Sequence, residues 1–369
     1  SFDNISGEHI KKFDDITVGG VIHSRMFHYP DQDLPKKALG WTLRKIQSIN
    51  DTLRCVPYPD PTSSVQTESV QTTYRLAEYV YLTEKDEIKV GVWDSDANCW
   101  STDYIEDLNY DKEKRELNFK TRKFAPIAFL QPKTTDYPYD SWDIRCVADQ
   151  LALLQINTKR IKICIEIHPL FVKLVQMDQK ELQHLVNKQM HPGLLLKELS
   201  KCGIHLLPED EDAERGGIHL KDHETEERAI LDIAQTLKVF AFQSMKWSQQ
   251  ASHENIICRL RENPDKDKVF LEDDESDWRS IMWWNNKVTY IKSKNCDEEF
   301  NGEIEDGQVT HALLNLAVQG VQSDDAVETS QYLYDIDFID NVQRTLRLMR
   351  LLSFTVNAFD KRSLEEQQK

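Results

Sequence analysis

Side-chain catalysis needs a nucleophile, a base and an orienting group at a spacing that brings them together, and this chain offers only scattered material. Its seven cysteines, at positions 55, 99, 146, 164, 202, 258 and 296, are odd in number and include no Cys-x-x-Cys pair. That pattern points to reduced thiols rather than to a disulfide framework or a zinc cage. His219 and His223 stand four apart, as two zinc ligands on one helix face would, yet no Cys or third His follows at ligand spacing. His168 before Pro169 and His191 before Pro192 read as turn and cap residues. Asp94-Ser95-Asp96-Ala97-Asn98 starts like a calcium loop, but Cys99 stands where the glycine belongs and Ile105 where the bidentate Glu belongs. An acidic β-turn between Trp93 and Trp100 is the better reading. No Gly-rich loop ends in Lys-Ser or Lys-Thr, and both the dinucleotide fingerprint and the Gly-x-Ser-x-Gly elbow are missing. The acidic runs at 209–212 and 272–277 read as solvated loops at ordinary pKa. The expectation is a non-enzyme without cofactor or metal, and an unrecognised hydrolase using scattered His and carboxylates is the alternative.

What remains is chemistry of recognition. Trp283 and Trp284 are adjacent, so in a strand their rings face opposite sides, and a ring turned outward would anchor a partner. Arg344, Arg347 and Arg350 form one stripe on the last helical segment, opposite Val342, Leu346 and Met349, and read as a solvated basic face or a docking site. Lys36, Lys37, Arg44 and Lys45 make the other basic cluster. These nine residues are the candidate protein interface.

The elements that must position them follow from length, charge and period. A chain of 369 residues suggests two domains, and its 40% apolar residues with 8 Trp, 12 Tyr and 14 Phe suffice for real cores. The net charge of -17 disfavours nucleic acid, since neither half supplies the basic stripe that phosphates require. Apolar runs stay far below the ~20 residues that span a bilayer, so no membrane partner is expected and the chain reads as intracellular. Short strands punctuated by turns, from Val21–Phe27 through Thr42–Val56, Tyr79–Leu82, Ile88–Asp94, Trp100–Asn109 and Glu116–Thr121 to Ala125–Leu130, indicate an antiparallel β-sandwich over residues 1–150. The Pro-bearing stretch 131–150 reads as the crossing into an α+β domain over residues 151–369 with C-terminal helices. There the expected elements are a strand at 160–167, helices at 178–189, 224–246, 309–319 and 326–354, and strands at 256–262 and 278–293. Overall this is an α+β fold class.

Val92-Trp93-Asp94, Trp100-Ser101-Thr102-Asp103, the run 124–131 (Phe-Ala-Pro-Ile-Ala-Phe-Leu-Gln) and Tyr139-Asp140-Ser141-Trp142-Asp143 occur in that order. Lys201-Cys202-Gly203-Ile204 and Phe240-Ala241-Phe242 with Trp247 follow. This pattern resembles the cancer susceptibility candidate family, also called axonemal dynein intermediate chain seven, over most of residues 20–355. The resemblance implies a structural accessory subunit of an inner-arm dynein in motile cilia. Its implied partners are axonemal dynein heavy and intermediate chains and tubulin of the doublet microtubules, and its implied place is the cilium or flagellum axoneme within the cytoskeleton. No WD-repeat propeller is implied, because Trp93-Asp94 occurs without a repeat. A cytosolic cytoskeletal adaptor outside cilia would use the same fold. If tubulin is touched directly, the contact should run through Lys36, Lys37, Arg44 and Lys45 or through the Arg344–Arg350 stripe.

Overall fold

Period-two burial builds the first of two units in the computed structural model. The structure describes residues 14–28, 36–38, 40–43, 54–61, 68–83, 88–175, 177, 179–263, 278–292, 299–317 and 335–359. One unit comprises Ser1–Val80 with Glu84–Gln131, and the other Tyr81–Thr83 with Pro132–Lys369. The first holds β1 (Asp15–His23), β2 (Met26–His28), β3 (Lys36–Ala38), β4 (Trp41–Leu43), β5 (Arg54–Val56), β6 (Val70–Arg75), β7 (Lys89–Asp94), β8 (Cys99–Ser101), β9 (Ile105–Asp111), β10 (Glu116–Thr121) and β11 (Pro126–Pro132). Leu117, Phe119 and Thr121 of β10 point inward and their neighbours do not, as a half-buried strand requires. The described strands form a four-stranded sheet, β1-β11-β7-β8, and a three-stranded sheet, β6-β10-β9. Tyr74 of β6 meets Phe129 of β11 with ring centroids 5.0 Å apart, so the sheets face each other over Val18, Val90, Val92, Phe119 and Ile127. Trp93 and Trp100 pair across β7 and β8 edge to face at 5.2 Å. Between them Gly91 is demanded by closeness, since a Cβ there would lie 2.6 Å from Leu130 Cδ1 and 3.2 Å from Trp100 Cβ.

The second unit is one antiparallel sheet with helices on it. Its strands are β12 (Ser141–Ala148), β13 (Leu151–Asn157), β14 (Lys162–Ile167), β15 (Val172–Leu174), β16 (Phe240–Ser244), β17 (Ile256–Glu262), β18 (Arg279–Trp284), β19 (Lys287–Ile291) and β20 (Ile304–Thr310). Among the described residues they pair in the order β15-β14-β13-β12-β16-β17-β18-β19-β20. Helices α1 (Pro192–Lys201), α2 (Asp210–Gly216), α3 (His223–Thr236), α4 (Trp247–Gln250), α5 (Leu313–Ala317), α6 (Ile336–Met349) and α7 (Leu351–Phe354) accompany it. Ile230, Ile233, Ala234 and Leu237 in and just after α3, with Phe338, Val342, Leu346 and Met349 of α6, join the main core under Ile144, Leu154, Phe242 and Cys258. The opposite sheet face carries a smaller cluster of Met245, Trp247, Ile257, Met282 and Ile291. No helix among the described residues is long and apolar enough to cross a membrane.

The α+β class stands, and several boundaries move. The units part at Gln131 and Pro132 rather than near residue 150, because β12 already pairs with β13 and β16 inside the second sheet. The helix expected over 224–246 ends at Thr236, and Phe240–Ser244 is a strand buried on both faces. A continuous apolar run fits both periods, and here the central strand position decides. Residues 180–182 form only a 3-10 turn where a helix over 178–189 was expected, with Asp178 outside the described residues. Residues 304–310 are strand before the short α5, and residues 318–334 lie outside the described set. The single strand expected over 278–293 is a hairpin, turned by Asn285 and Asn286 at φ of 46° and 58°, the left-handed pair of a type I′ turn. Tyr79–Leu82 is not a strand, and of Thr42–Val56 only the ends at β4 and β5 are described.

Candidate protein interface

Trp283 and Trp284 do take opposite faces, but both faces are occupied. Trp283 is 1% exposed, paired with Ile256 and Val288, and its Nε1 donates to Asp232 Oδ2 at 2.9 Å. Asp232 also accepts from Leu313 N at 3.3 Å, so the indole fastens the sheet to α3 and α5. Trp284 is half-buried against the smaller cluster. Trp283 is thus a core residue and not a surface anchor. The reason is that its strand lies inside the sheet with covering on each side.

The arginine stripe is likewise engaged within its own unit. Arg344 donates to Asp340 Oδ2 at 2.6 Å and contacts His191 Nε2 at 2.9 Å. Arg347 donates through Nε to Glu227 Oε1 at 2.6 Å. Arg350 donates to Asp210 and, at 3.1 Å, to Glu226 Oε2. It adopts φ 48° at the elbow between α6 and α7, so one side chain links that elbow to α2 and α3. The cationic stripe stays partly exposed and carries ion pairs with Asp340 on its own helix, with Asp210 of α2 and with Glu226 and Glu227 of α3. Partly exposed pairs of this kind add ~1 kcal/mol or less each.

Beneath these pairs lies a cavity of about 310 Å³ lined by Leu220, Lys221, Glu226, Ile230, Arg347 and Arg350, among others. Burial, with Glu227 close by, pushes the Glu226 carboxyl up to about 7. Burial also pulls Lys221 down to about 8, while its ammonium donates to the carbonyls of Ser248, Ala251 and Ser252. Perturbed groups in a cavity are the usual marker of a catalytic site. Here no Ser, Thr or Cys lines the space, and the lysine is committed to three carbonyls, so its ammonium serves cohesion.

Sequence reasoning missed a deeply buried ion pair among the described residues. Asp136, 0% exposed, accepts from Arg160 Nε at 2.9 Å and Nη2 at 2.8 Å and from His205 N at 2.8 Å. Arg160 also donates to Gly203 O. Tyr137 Oη donates to buried Asp212 at 2.8 Å. The desolvation cost of Asp136 and Arg160 is met by bidentate geometry plus these further bonds. Its only sequence signal is Asp136 within the crossing segment. The calcium-like loop spends Asp94 Oδ1 on its own amides, Asp96 N at 3.0 Å and Ala97 N at 3.4 Å.

Lys36 and Lys37 fall on β3, which pairs with β4 in the register Lys36↔Leu43, Lys37↔Thr42 and Ala38↔Trp41. Arg44 and Lys45 lie outside the described residues. Trp41, which sequence reasoning did not single out, is 77% exposed beside the turn at Gly40.

No protein-family model matches the chain. Curated proteins named dynein axonemal intermediate chain 7 do. The Danio rerio protein is 26% identical over 357 residues, covering 92% of this chain. The Homo sapiens protein is 25% identical over 347 residues, again 92% of this chain. A Ciona intestinalis protein named as a homolog is 26% identical over 333 residues, 80% of this chain. The chain spans about half the length of the curated relatives it matches, 47% of the Danio and Homo proteins. The resemblance first read from the tryptophan strands is therefore matched along most of the sequence by a likeness to proteins named dynein axonemal intermediate chain 7.

Proposed function

We propose that this chain is a non-enzymatic accessory subunit of an axonemal inner-arm dynein complex in motile cilia, docking dynein heavy and intermediate chains and the doublet microtubule. The observation that carries the reading is the shared name of its relatives across some nine-tenths of its length. Two further observations support it. In the described cavity with perturbed groups, the lysine is tied to three backbone carbonyls and Glu226 to Arg350. Both units are built on antiparallel sheets, scaffolds that present loops and edges to partners.

Contact with tubulin is the finer part of the proposal. A chain at -17 meets an acidic lattice only through local cations, whose reach at physiological salt is about 8 Å. The ion-paired arginines of α6 are poorly suited to that, which leaves the segment around Lys36 and Lys37. The test is to express the chain with a fluorescent tag from its own locus in ciliated cells. Signal along the axoneme, retained after detergent removes the membrane, is the expected result. Signal confined to the cell body would overturn the reading in favour of a cytoskeletal adaptor outside cilia.

A further inference from the structure

We propose that the elbow between α6 and α7 is a proton-operated latch, in which Glu226 holds a proton while the elbow is closed over its cavity and releases it as the elbow opens. The assignment goes beyond the subunit reading and does not depend on it.

Backbone conformation is the first observation. Arg350 caps the end of α6 and the start of α7 at φ 48° and ψ 42°. A residue with a Cβ keeps that left-handed conformation only where its surroundings hold it. Ser353 N and Phe354 N donate to the Arg350 carbonyl at 3.1 and 2.9 Å, which closes α7 as a single turn. The side chain supplies the hold, through Asp210 of α2 and Glu226 of α3. Asp210 is 68% exposed at its side chain, and an ion pair so open to water holds weakly. Glu226 is the inner pin.

The cavity is the second. Glu226 lines the 310 Å³ space while only 3% exposed, and its Oε1 is buried with no hydrogen-bond partner among the described residues. A buried carboxylate with an unsatisfied oxygen is relieved in two ways. A proton cancels its charge, or opening lets water hydrate it.

The charges around the carboxyl are the third. Glu227 and His223 face it from α3, Ser353 from α7 and Arg350 from the elbow. Asp210 of α2, Lys221 before α3 and Arg347 of α6 complete the lining. Lys221 is turned to its three carbonyls and Arg347 to Glu227. Burial is the largest influence on Glu226 and Glu227 adds to it, which together outweigh Ser353 and His223 and push the carboxyl up from 4.5 to about 7. An open, hydrated elbow returns it to the ordinary value. The closed elbow therefore binds more protons, so closure is favoured fully below about pH 4.5 and loses that support as pH rises through 7. Acidification from pH 7.5 to 5.5 should strengthen closure by about twentyfold.

The experiment follows amide hydrogen exchange of the full chain at pH 7.5 and 5.5, corrected for the intrinsic rate, beside Glu226→Gln, which keeps the shape and cannot ionise. Protection of Ser353 and Phe354 in the parent, taken relative to the variant, should rise about twentyfold on acidification, while the same ratio for β13 and β14 stays constant. Asp210→Asn, which removes only the outer pin, should keep the effect. A constant ratio at the elbow would overturn the proposal. An equal rise in β13 and β14 would overturn it too, since Glu226 would then act on global unfolding alone. A second readout needs no variant: the Glu226 carboxyl should titrate near 7 by carbon NMR, and titration near 4.5 would overturn the latch.

Discussion

Replacing Trp283 by Phe decides between a core residue and a partner anchor. The indole is 1% exposed and donates to Asp232 Oδ2 at 2.9 Å. The smaller ring leaves a void of roughly 40 Å³, which costs about 1 kcal/mol at the usual rate for cavities. The lost bond to a buried carboxylate adds about 1.5–3 kcal/mol. The carboxylate keeps Leu313 N at 3.3 Å and Arg228 at 3.6 Å, so it is not stranded, and the total loss should be about 3 kcal/mol. Urea unfolding followed by circular dichroism reads it as a lower midpoint at an unchanged slope. A cycle with Asp232→Asn should show coupling of about 1–2 kcal/mol between the two sites. A loss well under 1 kcal/mol, or intact stability with weakened association to a partner, would refute the assignment of Trp283 to the core.

Removing the carboxylate of Asp136 by Asp136→Ala leaves Arg160 buried without its bidentate partner and should cost about 3–5 kcal/mol by urea unfolding; a cost under 1 kcal/mol would mean that the pair is open to water. His205, 8% exposed and bonded to Ser200 Oγ at 3.0 Å, is pulled down to about 4 by burial and by Lys133. Its folded value lies below its unfolded one, so its contribution is complete above about pH 6.5 and is lost as pH falls toward 4, by about 3 kcal/mol in all. His205→Gln should flatten that acid limb, and a ring titrating near 6.5 by NMR would contradict the account.

Local pattern was enough for strands that alternation or a bounded β-rich run sets apart from their neighbours. Glu116–Thr121 and Ile256–Glu262 were legible residue for residue, because alternation in the one and a bounded β-rich run in the other admit a single reading. Phe240–Ser244 was not, because it continues the apolar stripe of α3 with no turn residue to mark the change of period. The hairpin at Asn285 and Asn286 carried its signal in two residues that tolerate positive φ.

The candidate interface was legible in composition and illegible in pairing. Arg344, Arg347 and Arg350 were readable as a stripe, but their partners Asp210, Glu226 and Glu227 lie more than a hundred residues away. Only the packing of α6 on α3 brings them together. Trp41 left no such trace, since nothing in a Gly-Trp-Thr sequence tells an exposed ring from a buried one.

The most direct measurement of the central proposal is fractionation of ciliary axonemes with an antibody to this chain, extracting dyneins with high salt and following the chain through a sizing column. Co-elution with an inner-arm dynein heavy chain is the predicted result. Absence of the chain from axonemes prepared with their dyneins intact would contradict it.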